Sequence, residues 1–223
     1  MSRHSETARG DSIDAALDAF ARGEPVCIHD ADDREGETDL IYPAGAVTPA
    51  AVARLRNDAG GLVCVAVSHA VAETFDLPFL QETLEHPAAA NHDLVYDDRS
   101  SFSLSVNHRE TETGITDEDR ALTIRELASA AAAPDEIRFS EYFRSPGHVH
   151  VLRAAENLLA DRQGHTELGV ALAEAADLPP AVVVCEMLDD ETGQALTPTD
   201  AAAYAHRNGL TYLEGSQLLD RLG

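Results

Sequence analysis

Lysine is absent: all 16 basic residues of the 223-residue chain are arginine, and they face 40 acidic ones. A nucleic-acid backbone calls for clustered positive charge, so nucleic acid is excluded as a partner. A net charge of −24 repels itself in dilute buffer and favours a hydrated, salt-screened state. The balance points to a protein of a high-salt cytoplasm. Long apolar runs are missing too. No stretch approaches the ~20 residues that cross a bilayer, so no membrane partner is expected. Met1 to Gly10 is polar and has no apolar core of the signal-peptide kind, and it is expected to be flexible. Cysteine is scarce: Cys27, Cys64 and Cys185 are far apart, and each sits in an apolar run such as Val182-Val183-Val184-Cys185. That spacing suits small buried hydrophobes and implies neither a disulfide framework nor a zinc site. No internal repeat or low-complexity linker occurs.

What is present suffices for a core. With 44% hydrophobic residues, the length suits one domain spanning 1–223. Ser12 is positioned to cap a helix with Ile13, Leu17 and Phe20 on one face, and Gly23 to stop it. A strand at 26–28 follows, then the acidic stretch 30–39, then the apolar pair Leu40-Ile41. Thr48-Pro49 starts a second helix, closed by Gly60-Gly61 before a strand at 62–67. Phe102 to Val106 alternates as a half-buried strand does, and Thr116 caps a helix whose first turn is acidic. Pro146-Gly147-His148 forms a turn ahead of a strand at 149–152. Gly164 opens a helix reaching Ala176, and a strand at 181–185 delivers Glu186. Thr199 caps a helix ended by Gly209, and a strand at 210–213 leads to a short terminal helix. The mixed order of elements predicts an α+β fold: a mixed sheet flanked by helices in a layered sandwich.

Four segments carry chemistry. Asp32 to Asp39 gathers five carboxylates around Arg34, with Gly36 giving the backbone freedom to turn them together. Hard divalent cations prefer such oxygen ligands, although a solvated acidic loop reads the same way. Gly164-His165-Thr166-Glu167, preceded by Arg162, combines a helix N-terminus with a guanidinium, a seat for phosphate or simply a capped helix end. His148 on its stiff turn could transfer protons, or serve structurally. Glu186, at the end of an apolar strand, could act as a base or lead into the acidic turn 189–191.

Together with two further stretches these segments resemble the 3,4-dihydroxy-2-butanone 4-phosphate synthase family, in an archaeal, halophilic form. The signatures are Asp33-Arg34-Glu35-Gly36-Glu37-Thr38-Asp39-Leu40, Phe102 to Val106 with Thr113-Gly114-Ile115-Thr116 and Asp119-Arg120, Pro146-Gly147-His148-Val149, Gly164 to Glu167, and Cys185-Glu186. Their order and spacing match from Ser12 to Leu222. The resemblance implies conversion of ribulose 5-phosphate to 3,4-dihydroxy-2-butanone 4-phosphate and formate. It implies Glu35 and His165 as ligands to two divalent ions per site, Mg²⁺ or Mn²⁺. Arg34, Glu35, Asp39, Thr113, Arg162, Gln163, Gly164, His165, Thr166 and Glu186 match substrate-binding positions, and His148 and Glu186 match catalytic ones. A cytoplasmic homodimer with its active site at the interface is also implied. Two departures stand out: Gly36-Glu37-Thr38 replaces the Asn-Glu-Gly of many bacterial relatives, and His150 stands in a stretch that is more apolar elsewhere. A sugar-phosphate isomerase or a non-catalytic binding module are the readings that compete with this one.

Overall fold

In a computed structural model the described residues are 2–31, 34–89, 97 and 99–223, the side chains of 2–11 being outside that set. Among the described residues seven strands form one mixed sheet: β1 (Val26–His29), β2 (Thr38–Pro43), β3 (Cys64–Val67), β4 (Phe102–His108), β5 (Phe143–Arg153), β6 (Ala181–Val184) and β7 (Thr211–Glu214). Their spatial order is β4-β5-β3-β6-β2-β1-β7. β1 with β7 and β3 with β5 run parallel, and the remaining pairs antiparallel. The helices among the described residues are α1 (Ser2–Ala21), α2 (Pro49–Asp58), α3 (His69–Thr74), α4 (Leu80–Thr83), α5 (Asp117–Ala132), α6 (Phe139–Tyr142), α7 (His165–Ala175), α8 (Pro198–Asn208) and α9 (Gly215–Leu222).

The pleat sends alternate side chains to opposite faces, and both faces are apolar. Leu40, Val65 and Val183 pack with α2, α5 and α8 on one side. Ile41, Cys64, Ala66, Val182 and Val184 pack with α1, α7 and α9 on the other. Central strands buried on both faces read as continuous apolar runs, which is why β3 and β6 are visible in the sequence. The expected layered α+β sandwich is borne out.

Several local expectations are corrected. α1 begins at Ser2, so Ser12 lies inside it, and its hydroxyl accepts from the Gln217 amide of α9 at 2.9 Å instead of capping. The expected flexibility of 1–10 concerns residues whose side chains lie outside the described set. Thr197, not Thr199, caps α8, accepting from the Asp200 N–H at 3.2 Å with Pro198 at the first helical position. β3 starts at Cys64, two residues after the expected start. β5 reaches back to Phe143 and contains Pro146-Gly147-His148, which bulges out of its pairing with β4 instead of preceding a strand. The brief helices α3, α4 and α6 leave too short a pattern to announce themselves.

Candidate active site

The acidic stretch, the start of α7 and the end of β6 meet over the α7 face of the sheet. The cavity between them is about 450 Å³ in volume and is lined by Arg34, Glu35, Glu37, Asp39, Arg162, His165, Thr166 and Glu186, with Cys64, Phe102, Leu152 and Val184 as its apolar wall. β2 delivers Asp39 on the same face as Ile41, and a bridge pairs Asp39 with Glu186 just beyond β6. Between β1 and β2 the loop folds around Asp30, whose carboxylate accepts the N–H groups of Glu35 at 3.2 Å and Glu37 at 3.0 Å. Gly36 supports this turn with φ of 67°. Asp32 and Asp33 lie outside the described residues.

His165 is buried at the first position of α7. Its Nε2 lies 3.1 Å from the Ile28 carbonyl, and a hydrogen bond there makes Nε2 the donor in the neutral ring. The Nδ1 lone pair is then directed at carboxylates: Asp39 Oδ1 at 3.4 Å and Glu35 Oε2 at 3.8 Å. Asp30, Glu35 and His165 each offer one ligand atom, all within 4.8 Å of one another. Asp39 Oδ1 is buried with no hydrogen-bond partner. A hard divalent cation fits this donor set, because carboxylate oxygens and one imidazole nitrogen converge where negative charge is in excess.

The electrostatics agree. Burial pushes the Asp39 carboxyl well above the usual range, His165 pulls it down, and Glu186, Glu35 and Glu37 push it up further. Glu37 is raised by burial and then by Glu35 and Glu186. Burial favours the neutral His165 ring, but Asp39, Glu35 and Asp30 outweigh it and raise the imidazole to about 9. For Glu35 burial is likewise outweighed, here by His165, Arg34 and Arg162, and its carboxyl is lowered. Within this cluster the His165 imidazole, raised to about 9, is the positive counter-charge to the surrounding carboxylates.

Beside the cluster lies an anion seat. Gly164 caps α7, and because it has no side chain two guanidiniums lie close beside the start of that helix. A methyl group there would sit 2.7 Å from Nη1 of both Arg34 and Arg162. The fully buried Glu167 holds Arg162 at 2.7 Å and accepts the Ala155 N–H at 3.0 Å. Asp97 bridges the pair, reaching Arg34 Nη2 at 3.2 Å and also bonding Arg162 Nε. The oriented N–H groups and paired guanidiniums are suited to a phosphate.

Of the residues singled out in the sequence, Arg34, Glu35, Asp39, Arg162, Gly164, His165, Thr166 and Glu186 come together here. Three stand apart. Gln163 is exposed and borders a separate cavity with His29 and Asp30. Thr113 is exposed, its hydroxyl and N–H both donating to Asp119 Oδ2, at 3.2 and 3.1 Å. His148 is exposed on the β5 bulge, against Asn107 of β4. Sequence reading gave no role to Asp30, Asp97 or Glu167, although Glu167 stands in the quoted Gly164-His165-Thr166-Glu167 motif. Among 40 acidic residues, nothing but the opposing arginines and N–H groups distinguishes them.

A cation-demanding pocket joined to an anion seat defines a class, enzymes acting on small phosphorylated substrates with a divalent ion. The 3,4-dihydroxy-2-butanone 4-phosphate synthase family model matches residues 14–221, and the chain belongs to that family. The 3,4-dihydroxy-2-butanone 4-phosphate synthase of Methanosarcina acetivorans is 48% identical over 223 residues, covering 94% of this chain and 90% of that protein. The synthase of Archaeoglobus fulgidus is 48% identical over 220 residues, covering 93% and 92%. Among solved structures, the Candida albicans synthase superposes with a TM-score of 0.78 at 33% identity, over 95% of this chain and 97% of the other. A crystal structure of a 3,4-dihydroxy-2-butanone 4-phosphate synthase in complex with two magnesium ions gives 0.79 at 32% identity, over 92% and 94%.

Proposed function

We propose that this chain converts D-ribulose 5-phosphate to L-3,4-dihydroxy-2-butanone 4-phosphate and formate, in riboflavin biosynthesis, as one synthase domain over 1–223. The observation that carries the reading is that one cavity is lined by the guanidiniums of Arg34 and Arg162, which lie against Gly164, and by Glu35 and His165, which form a ligand cluster with Asp30. The reaction needs no co-reactant. A proton leaves C3, water leaves C1, the skeleton rearranges, and a water is taken up again as C4 departs as formate.

Arg34, Arg162, Thr166 and the first-turn N–H groups of α7 bind the phosphate, which fixes the carbon chain against the carboxylates. Glu35 and His165 would hold Mg²⁺ or Mn²⁺, with Asp30 beside them, and two ions per site would suit so many carboxylates. When bound, such an ion polarises adjacent substrate oxygens and makes the C3 proton more acidic. Glu186 lies against the reacting carbons as base, and Asp39 orients the hydroxyls. His148 and Thr113 stand apart from this cavity within one copy, and in the proposed homodimer a second copy would bring them to it as the second proton-transfer group and a phosphate contact. Cys64, Phe102, Leu152 and Val184 keep bulk water from one wall.

A cytoplasmic homodimer with its active site at the interface completes the proposal. Leu62 and Leu188 are exposed at 42% and 39% and border the strand end that carries Glu186, so a second copy would cover them. Three free, buried cysteines suit a reducing compartment. The test is an assay for formate from ribulose 5-phosphate with Mg²⁺. Formate should appear, vanish with chelator, and return with added metal. Isomeric pentose phosphates without formate would instead indicate an isomerase, and unchanged substrate a binding module.

A further inference from the structure

We propose that Asn107 is a positioning residue that holds the His148 imidazole in both of its protonation states; this rests on the reading of His148 as a proton-transfer group. The bulge explains why such a residue is needed. Val106 pairs with Val149, but the next residue, Asn107, pairs with Arg144, so Ser145 to His148 have no partner across the ladder. Two side chains of β4 replace the missing bonds. Ser105 Oγ accepts the Gly147 N–H at 3.2 Å, and Asn107 Oδ1 accepts the His148 N–H at 2.8 Å. Asn107 is buried, only 4% exposed, and its amide has little freedom. A side chain on Gly114 would meet the Asn107 amide nitrogen at 2.0 Å, and one on Gly147 would meet the Val106 carbonyl carbon at 1.9 Å.

The backbone bond fixes which end of the amide carries oxygen. His148 Nδ1 is then 3.2 Å from both Oδ1 and Nδ2. The amide oxygen accepts Nδ1–H both from a neutral ring protonated there and from the imidazolium, which leaves Nε2 as the atom that takes up and gives back the proton. Neither step requires the ring to turn. A carboxylate at this position would hold the imidazolium more strongly than the neutral ring, and an apolar residue would hold neither form. Exposed histidines without such a partner rotate freely, which degrades the alignment that proton transfer requires.

The experiment uses the full-length protein labelled with ¹⁵N in histidine, as wild type, N107A and N107D, with H148A to assign the His148 signals. N107D keeps the acceptor for the His148 N–H and guards against a folding defect in N107A. N107D should shift the His148 ring nitrogens toward the imidazolium pattern, and N107A should release the Nδ1-protonated tautomer, while the other histidines stay in place. Both variants should lose on the order of ten- to hundredfold in kcat with KM unchanged. Unmoved His148 signals in N107D would overturn the proposal. So would moved signals with undiminished kcat, provided H148A is inactive. If H148A retains full activity, His148 is no catalytic group and the functional reading of that residue fails, whereas the spectra of N107D still report whether Asn107 holds the ring.

Discussion

His165 concentrates the chemistry of the cavity in one ring. Its Nε2 is committed to the Ile28 carbonyl, so Nδ1 alone can serve a metal, and in the metal-free protein the surrounding carboxylates keep that atom protonated. The sign follows from a folded value of about 9 against the ordinary 6.5. Without metal, the imidazolium stabilises the fold fully below pH 6.5, and that stabilisation is lost as pH rises through about 9. A divalent ion needs the neutral ring and so competes with the proton. Mg²⁺ binding to the substrate-free protein should therefore strengthen from pH 6.5 to 9 and release protons, by at most about tenfold per pH unit for one proton displaced. Calorimetric titrations in buffers of different ionisation enthalpy measure both quantities, and a pH-independent affinity with no proton release would remove His165 from the ligand set. At this scale the sequence displayed the motif residues, because arginine, histidine and glycine are sparse enough to stand out. Asp30 and Glu167 were illegible, since their roles are defined by what faces them across the fold.

Elements were legible where a local rule acts alone. Thr48-Pro49 and Thr116 begin helices as expected, each hydroxyl accepting a first-turn N–H. α8 shows the rule misapplied: Thr197-Pro198 repeats the Thr-Pro pattern of α2, and Thr199 is already inside the helix. The two threonines make an internal comparison. Thr197→Ala should cost about 1 kcal/mol, because the Asp200 N–H loses its side-chain acceptor, whereas Thr199→Ala, on an exposed first turn, should cost less than about 0.5 kcal/mol. Denaturant melts of the two variants check this, and equal losses would place the cap elsewhere. Irregularity set the limit at β5. Pro146 and Gly147 discourage a strand reading by local preference, yet Ser105 and Asn107 of β4 rebuild the pairing around them. That is tertiary information, invisible in the segment itself.

At the scale of the whole molecule, apolar strands were visible but their neighbours were not. β2 pairs with β6 through Tyr42 and Val183, and β1 with β7 through Val26 and Thr211, pairings set by packing between distant segments. Net charge, by contrast, is wholly legible, and it carries the last expectation. The charge of −24 comes from 40 carboxylates against 16 guanidiniums, and several of those guanidiniums already serve internal pairs with Asp97, Asp117 and Glu167. Most of the acidic surface therefore repels itself. Unfolding moves those charges apart, so repulsion weighs against the compact state most when screening is weakest. The Debye length falls from about 30 Å at 0.01 M to about 3 Å at 1 M, which is shorter than most spacings between surface carboxylates. Thermal midpoints should rise steeply with KCl at low concentration and then flatten as screening saturates. Salts that act by exclusion from the surface, such as sulfate, keep adding stability beyond that point, so comparing KCl with sulfate at matched ionic strength separates the two effects. A midpoint that stays level or falls between 0.01 M and molar KCl would defeat the high-salt reading, leaving the acidic surface as composition without adaptation.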